Sequence, residues 1–284
     1  MINVEECRRK YLPESAVVAC QGAEGAYSQI AANAVFEQPE ILYMRTFDGV
    51  FRAVDNGLCR YGILPVENSN AGSVTDVYDL MKTYNFYIVR SVKVPISHVL
   101  LAKQKTDVAS IKEIYTHEQA VKQCSGFLEQ NPHIKMNISE NTAAAARFVA
   151  ESSETGIAAI ASESCARLYG LAVLAPKIQN NNNNYTRFIC ISKQCEIYDG
   201  SDKISIMLTL EHRPGALYEV IKQFAELKLN LTKLESRPIA DTDFEFMFYF
   251  DVQASLEDKE IYELLLRLTK STRQFVFLGN YKGG

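Results

Sequence analysis

The sequence predicts an α/β chain that builds a two-lobed clamp and then a small α+β domain. Three observations carry this reading. From residue 17 to 175, short apolar runs of strand length alternate with runs at helical spacing, and most strands end in polar loops. A proline-broken extended stretch, 86–102, separates two such blocks, and an Asn-rich run, 180–184, leads back into the strand 185–192. Beyond residue 202 the pattern changes to strict two-residue alternation with two amphipathic helices.

The first elements follow directly. Residues 17–20 (Val-Val-Ala-Cys) read as a buried strand, a glycine turn follows at 21–25, and a helix runs over 26–36 with Ser28 in its first turn. Strand, glycine turn and helix aim backbone amides at an anion. The glycines do not match Gly-x-Gly-x-x-Gly and no Walker lysine follows, so a carboxylate suits the place better than a nucleotide. A strand at 41–45 and a helix at 47–56, closed by Gly57, come next. The strand at 61–66 ends in Glu67-Asn68-Ser69, and Gly72-Ser73 is expected to open the helix at 74–84. Ligands in open α/β sheets collect outside such strand ends. Asn68 and Ser69 read equally as helix caps.

Pro95 breaks the stretch 86–102 and suggests a hinge into a second lobe. His98 alternates with apolar neighbours there, the pattern of a structural histidine. The second lobe repeats the rhythm: strand 114–116, one helix 117–128, strand 134–138, an alanine-rich helix capped by Asn141-Thr142, strand 157–161, helix 163–169 and strand 171–175. The Asn run then returns the chain to the first lobe through strand 185–192, so a ligand would sit in the cleft. Thr186 and Arg187 stand where loop becomes strand, and the fork of Arg187 suits a carboxylate. Phe188 is cleft wall or core, and Glu67 either orients Arg187 or serves as a structural partner. The last segment reads β-α-β-β-α-β: strand 204–210, a helix after Pro214-Gly215-Ala216, strand 231–235, alternating Phe244, Phe246, Phe248 and Phe250, a helix over 261–268 and strand 275–278. It holds no cluster of acids, bases or nucleophiles and reads as binding or regulatory.

Composition narrows the function classes. The 284 residues allow two or three domains, and a net charge of −4 argues for neither a nucleic-acid nor an anionic-membrane partner. Seven cysteines without a Cys-x-x-Cys pair and four scattered histidines offer no recognisable zinc arrangement. With no leader-like apolar region at the N-terminus, the expectation is a cytoplasmic, metal-free chain without a cofactor.

These stretches resemble the prephenate dehydratase family. The matching motifs are Gln-Gly-Ala-Glu-Gly-Ala-Tyr-Ser (21–28), Gly-Ile-Leu-Pro-Val-Glu-Asn-Ser with Ala-Gly-Ser-Val (62–74), His-Glu-Gln-Ala with Gln-Cys (117–124), Asn-Thr-Ala-Ala-Ala (141–145) and Asn-Tyr-Thr-Arg-Phe (184–188). Pro-Gly-Ala-Leu (214–217) and Glu-Ser-Arg-Pro (235–238) resemble the family's phenylalanine-binding signatures. Asn180 departs from the family's usual Asp, as do Ala23 from Pro, Ala26 from Thr and Ile221 from Leu.

The resemblance implies a periplasmic-binding-protein-like (type II) catalytic domain and a ferredoxin-like ACT domain. The expected bounds are lead-in 1–15, catalytic domain 16–194 (lobe one 16–96 plus 184–194, lobe two 97–183), linker 195–202 and ACT domain 203–284, with no room in front for a chorismate mutase domain. It implies conversion of prephenate to phenylpyruvate, with L-phenylalanine as effector and a homodimer or homotetramer. Thr186 and Arg187 would be catalytic, and Ser28, Glu67, Asn68, Ser69, Thr142, Asn184 and Phe188 would bind substrate. Gly215, Ala216, Leu217, Asn230, Glu235 and Ser236 would receive the effector. Arogenate dehydratase and a non-catalytic small-molecule sensor are the alternatives.

Overall fold

The structure, a computed structural model, describes residues 3–239 and 245–284. It contains two compact units, Glu14–Leu80 with Val92–Phe188, and Met1–Pro13 with Met81–Ser91 and Ile189–Gly284. The lead-in makes one helical turn, α1 (Val4–Cys7), and a short strand, β1 (Arg8–Arg9).

The first block comprises β2 (Ser15–Gln21), α2 (Tyr27–Val35), β3 (Gln38–Met44), α3 (Phe47–Asp55), β4 (Tyr61–Asn68), β5 (Gly72–Ser73), α4 (Thr75–Tyr84) and β6 (Tyr87–Pro95). β2 lies parallel to both β3 and β4, with Val18, Ala19 and Cys20 fully buried. That burial on both faces is why the strand is a continuous apolar run. α3 begins where Thr46 accepts the Gly49 amide and buries Val50, Phe51 and Val54, the spacing read from sequence. Gly72-Ser73 does not open a helix. It pairs antiparallel with Glu67-Asn68, and α4 starts only at Thr75. Gly72 has φ +82°, a left-handed turn that glycine makes without strain.

The second block holds β7 (Val99–Ala102), a 3-10 turn at Val108–Ser110, β8 (Glu113–Thr116), α5 (Glu118–Gln123), α6 (Ser125–Glu129), β9 (Lys135–Ile138), α7 (Thr142–Glu151), β10 (Ile157–Ala161), α8 (Glu163–Tyr169) and β11 (Ala172–Ala175). Its sheet has the order β11-β7-β10-β8-β9, with every residue of the central β10 buried. Ala143, Ala145 and Ala146 let α7 lie close on that sheet. The single helix expected over 117–128 is two, broken at Cys124. Asn180 accounts for the break: its Oδ1 accepts the Gly126 amide at 2.9 Å while its Nδ2 donates to the Ser125 hydroxyl and the Lys122 carbonyl. One amide side chain thus satisfies a helix end and a helix start together.

β12 (Tyr185–Ser192) returns the chain to the first sheet, whose order is β3-β2-β4-β12-β6. The two-sheet architecture of this unit agrees with the expected two-lobed α/β fold.

The other unit adds β13 (Ile197–Tyr198), which pairs with β1, then β14 (Lys203–Thr209), α9 (Ala216–Glu226), β15 (Asn230–Pro238), β16 (Phe246–Gln253), α10 (Lys259–Ser271) and β17 (Gln274–Tyr281). The sheet order β15-β16-β14-β17 with two helices is the expected β-α-β-β-α-β arrangement. Ile204, Ile206 and Leu208 meet Val220, Phe224, Ile261, Leu264 and Leu268 in one core. Phe244, read as part of an alternating strand, lies outside the described residues.

Candidate active site

A cavity of about 470 Å³ opens in the two-sheet unit. One side is lined by the first turn of α2 (Tyr27, Ser28), by Asn68 at the end of β4, and by Thr186 and Phe188 of β12. The other side carries His98, His117, Gln123 and the start of α7, Glu140 to Thr142. Phe47, Pro65, Val74 and Ile96 supply apolar wall.

Asn68 is the organising residue. Its Oδ1 accepts the backbone amides of Asn70 and Ala71 at 3.0 and 2.9 Å. Those partners only donate, so the orientation of the amide is fixed. Its Nδ2 must therefore face the other way, where it donates to Asn184 Oδ1 at 2.7 Å, Thr186 Oγ1 at 2.9 Å and the Tyr185 carbonyl at 3.1 Å. Thr186 Oγ1 thus accepts, and its own proton has no acceptor among the described residues. Polarised from behind, the hydroxyl is free to donate into the cavity.

Strand geometry separates the other residues expected here. Alternate side chains leave a strand on opposite faces. Thr186 and Phe188 line the cavity, whereas Arg187, between them, does not. Its side chain is 6 % exposed and pairs with Glu67 at 3.0 Å. The expectation that Arg187 offers its fork to a substrate carboxylate in the cleft is thereby corrected. The ion pair with Arg187 fits both readings left open for Glu67, orienting Arg187 or serving as its structural partner. Ser69 also stays out of the lining. Its hydroxyl donates to the Asn183 carbonyl and accepts the Tyr185 amide, pinning the returning chain to the end of β4. Asn184 is buried behind Thr186, where it holds Asn68 and takes the Ile96 amide on its carbonyl. Ser28 lines the cavity, but its hydroxyl donates to the Gln21 carbonyl at 2.7 Å.

No lysine or arginine lines the cavity among the described residues. Positive potential comes instead from the helix starts of α2 and α7, whose first amides have no partner within the helix. At α7 the Asn141 side chain takes the Ala144 amide at 2.8 Å, which leaves the amides of Thr142 and Ala143 at the helix mouth. His98, read from sequence as a structural histidine, also lines the cavity. It is 2 % exposed, its Nε2 meets Gln123 Oε1 at 2.8 Å, and its ring stands edge-on to Tyr27. Burial holds its imidazole below the usual histidine range, against the opposing pull of the Gln123 hydrogen bond. The Asn-run segment brackets this pair: Gln179 accepts the His98 amide, and the Asn180 amide donates to the Gln123 carbonyl. Among the described residues no group of three or more His, Cys, Asp or Glu is placed to hold a metal, and no helix is long and apolar enough to cross a membrane.

In the other unit, Gly215 has φ +83° at the start of α9, with Ala216 buried and Leu217 packed against the core. Asn230 donates to Gln253 at 2.6 Å, and a register shift between Leu231 and Lys233 puts Asn230 on the same face of β15 as Lys233 and Glu235, with Ser236 on the other. Glu235 pairs with Lys233 at 3.6 Å. Of the three residues expected to meet the effector, Asn230 and Glu235 share a face of β15.

A two-sheet α/β unit with a polar cavity at strand ends, joined to a split-βαβ unit, defines a small-molecule enzyme with a second α+β domain. A family model described as prephenate dehydratase matches residues 18–196. The chain is 36 % identical over 280 residues to the bifunctional chorismate mutase/prephenate dehydratase of Escherichia coli K12, covering 96 % of this chain and 72 % of that one. It is 34 % identical over 276 residues to arogenate dehydratase/prephenate dehydratase 2 of Arabidopsis thaliana, covering 93 % and 72 %. Among solved structures, prephenate dehydratase of Arthrobacter aurescens in complex with L-Phe superposes with a TM-score of 0.85 at 29 % identity, covering 94 % and 89 %. A structure described as GqqA, a quorum quenching acylase, also superposes with a TM-score of 0.85, at 28 % identity over 94 % and 98 %. The chain belongs to the prephenate dehydratase family.

Proposed function

We propose that the chain converts prephenate to phenylpyruvate, and that Thr186 assists departure of the ring hydroxyl. The observation that carries this is the Thr186 hydroxyl in the cavity, accepting from a fixed Asn68 and keeping its proton for the substrate.

In the reaction, the bond from C1 to the carboxylate breaks and its electron pair enters the ring. The double bonds shift, and the C4–O bond breaks. Hydroxide takes one proton, so dianionic prephenate and H⁺ give monoanionic phenylpyruvate, carbon dioxide and water. Aromatisation supplies the drive, so the site has to position the ring and stabilise the departing oxygen. A threonine is too weak an acid to give up its proton outright. It donates a hydrogen bond as charge develops on the oxygen, with water completing the transfer. The absence of lysine and arginine from the described lining suits this chemistry. A cation clamped on the departing carboxylate would stabilise the ground state more than the transition state. The α2 and α7 helix starts hold the side-chain carboxylate without that penalty.

We assign the catalytic domain to 16–194, and to the domain 203–284 a regulatory site for L-phenylalanine around Gly215, Ala216 and Leu217, with Asn230, Glu235 and Ser236. The Arthrobacter relative, solved with L-Phe, supports this effector. Pairing of two such domains would make the protein a homodimer or homotetramer. The seven free cysteines suit a reducing cytoplasm. The plant relative keeps arogenate open as a second substrate. The test is an assay of phenylpyruvate formation from prephenate. Thr186→Ala should lower turnover by roughly 10²- to 10⁴-fold, the range of general-acid assistance.

A further inference from the structure

The cavity carries one carboxylate among its described lining residues, Glu140. It is exposed, and it has neither an ion pair nor a hydrogen bond among the described residues. It stands directly before Asn141, the residue that caps α7. An acid without an ion-pair partner among the described residues is an unexpected lining for a site that must receive a dianion. Like charges brought together at close range select against the ligand that carries the extra charge.

The same acid is complementary to a substrate whose side chain ends in an α-amino acid group. Such a head group presents an ammonium beside a carboxylate. The open amides of Thr142 and Ala143 suit the carboxylate, and Glu140, next along the chain, suits the ammonium. An α-keto acid in that place offers only an acceptor to Glu140.

We infer that Glu140 is a specificity-determining residue that favours the α-amino form of the substrate over the α-keto form. The inference rests on the dehydratase reading above and names which side-chain head group that cavity prefers. Glu140 contacts no reacting atom. It acts on the head group alone, so its effect differs between the two substrates.

Steady-state kinetics of the wild-type protein, Glu140→Gln and Glu151→Gln on arogenate and prephenate test it. Glu151 is an exposed acid at the far end of α7, so its variant removes the same charge away from the cavity. The wild-type protein should turn over both substrates. In Glu140→Gln the kcat/KM for arogenate should fall and that for prephenate rise. Their ratio should shift by roughly 10- to 100-fold, the worth of one hydrogen bond to a charged group. Glu151→Gln should leave the ratio at the wild-type value. An unchanged ratio in Glu140→Gln overturns the inference, as does a wild-type protein active on prephenate alone. A wild-type protein inactive on both substrates overturns the dehydratase reading itself.

Discussion

At the scale of single residues, Asn68 shows how much one amide can organise. Two backbone donors fix its oxygen, so its two N–H groups must serve Asn184, Tyr185 and Thr186. Asn68→Asp keeps the first half of that arrangement and inverts the second. The new carboxylate oxygen cannot donate, and the Thr186 hydroxyl turns back to donate to it. Turnover should then fall nearly as far as in Thr186→Ala, although Thr186 is intact. Stability should drop by about 1–3 kcal/mol, the cost of a buried polar group left without its partner. Turnover and a urea melt on the same preparation check both. His98 gives a pH-dependent prediction. Its folded-state pKa lies below the ordinary value near 6.5, because burial penalises the charged ring. Above pH 6.5 the ring is neutral in both states. As pH falls below 6.5 the unfolded chain takes the proton first, so stability is lost until the folded-state value is passed. Urea midpoints at pH 7.5 and 5.5 should therefore differ more for the wild-type protein than for His98→Gln.

Adjacent residues also show where reading a sequence fails. Thr186 with Arg187, Glu67 with Asn68, and Glu235 with Ser236 stand side by side in the motifs. A strand sends such neighbours to opposite faces, so a motif read as one constellation holds two. Thr186 and Asn68 were legible because motif and strand-end position agreed. Arg187 was misplaced because its chemistry was weighed without its parity. His98 was read as structural from its apolar pattern, but its pairing with Gln123 went unread because it spans 25 residues of sequence.

At the scale of elements, most of the fold was legible. Val50, Phe51 and Val54 carry helical spacing, and β10 is a bare apolar run, so each could be recognised alone. The break between α5 and α6 was not, since the local pattern continues through Cys124 and the cause, Asn180, arrives 54 residues later than Gly126. β5 was misread for a similar reason: Gly-Ser before a helix resembles a helix start, and only the pairing with Glu67-Asn68 shows a hairpin. Helix α7 carries its signal on one residue. Asn141 satisfies the Ala144 amide and leaves the helix mouth open to the cavity. Asn141→Ala should cost about 1 kcal/mol of stability, the usual worth of an N-cap. Because the mouth of α7 lies at the cavity, it should also raise the KM for substrate. A melt and a KM measured together separate this from a purely structural cap, which would lower stability and leave KM alone.

At the scale of the molecule, the candidate cavity and the proposed effector residues belong to different compact units. The strands β6 and β12 run in both, and each has cavity residues at or just beyond its end, Ile96 and His98 after β6, Thr186 and Phe188 on β12. L-phenylalanine at 100 times its Kd should stabilise the protein by about 2.7 kcal/mol through mass action. It should also lower turnover. An effector that changes neither the melting temperature nor the rate would remove the regulatory reading. Buried thiols such as Cys20 and Cys124, pushed up to about 12 by burial, act as apolar side chains and take no part in either site.

The central claim is that the Thr186 hydroxyl, held by Asn68, assists the departing oxygen. It is tested most directly by single-turnover formation of phenylpyruvate from prephenate, comparing the wild-type protein with Thr186→Ser and Thr186→Ala. The account predicts a rate lower by roughly 10²- to 10⁴-fold in Thr186→Ala with little change in substrate affinity, and an intermediate rate in Thr186→Ser, which keeps the hydroxyl. A near-normal rate in Thr186→Ala would contradict it.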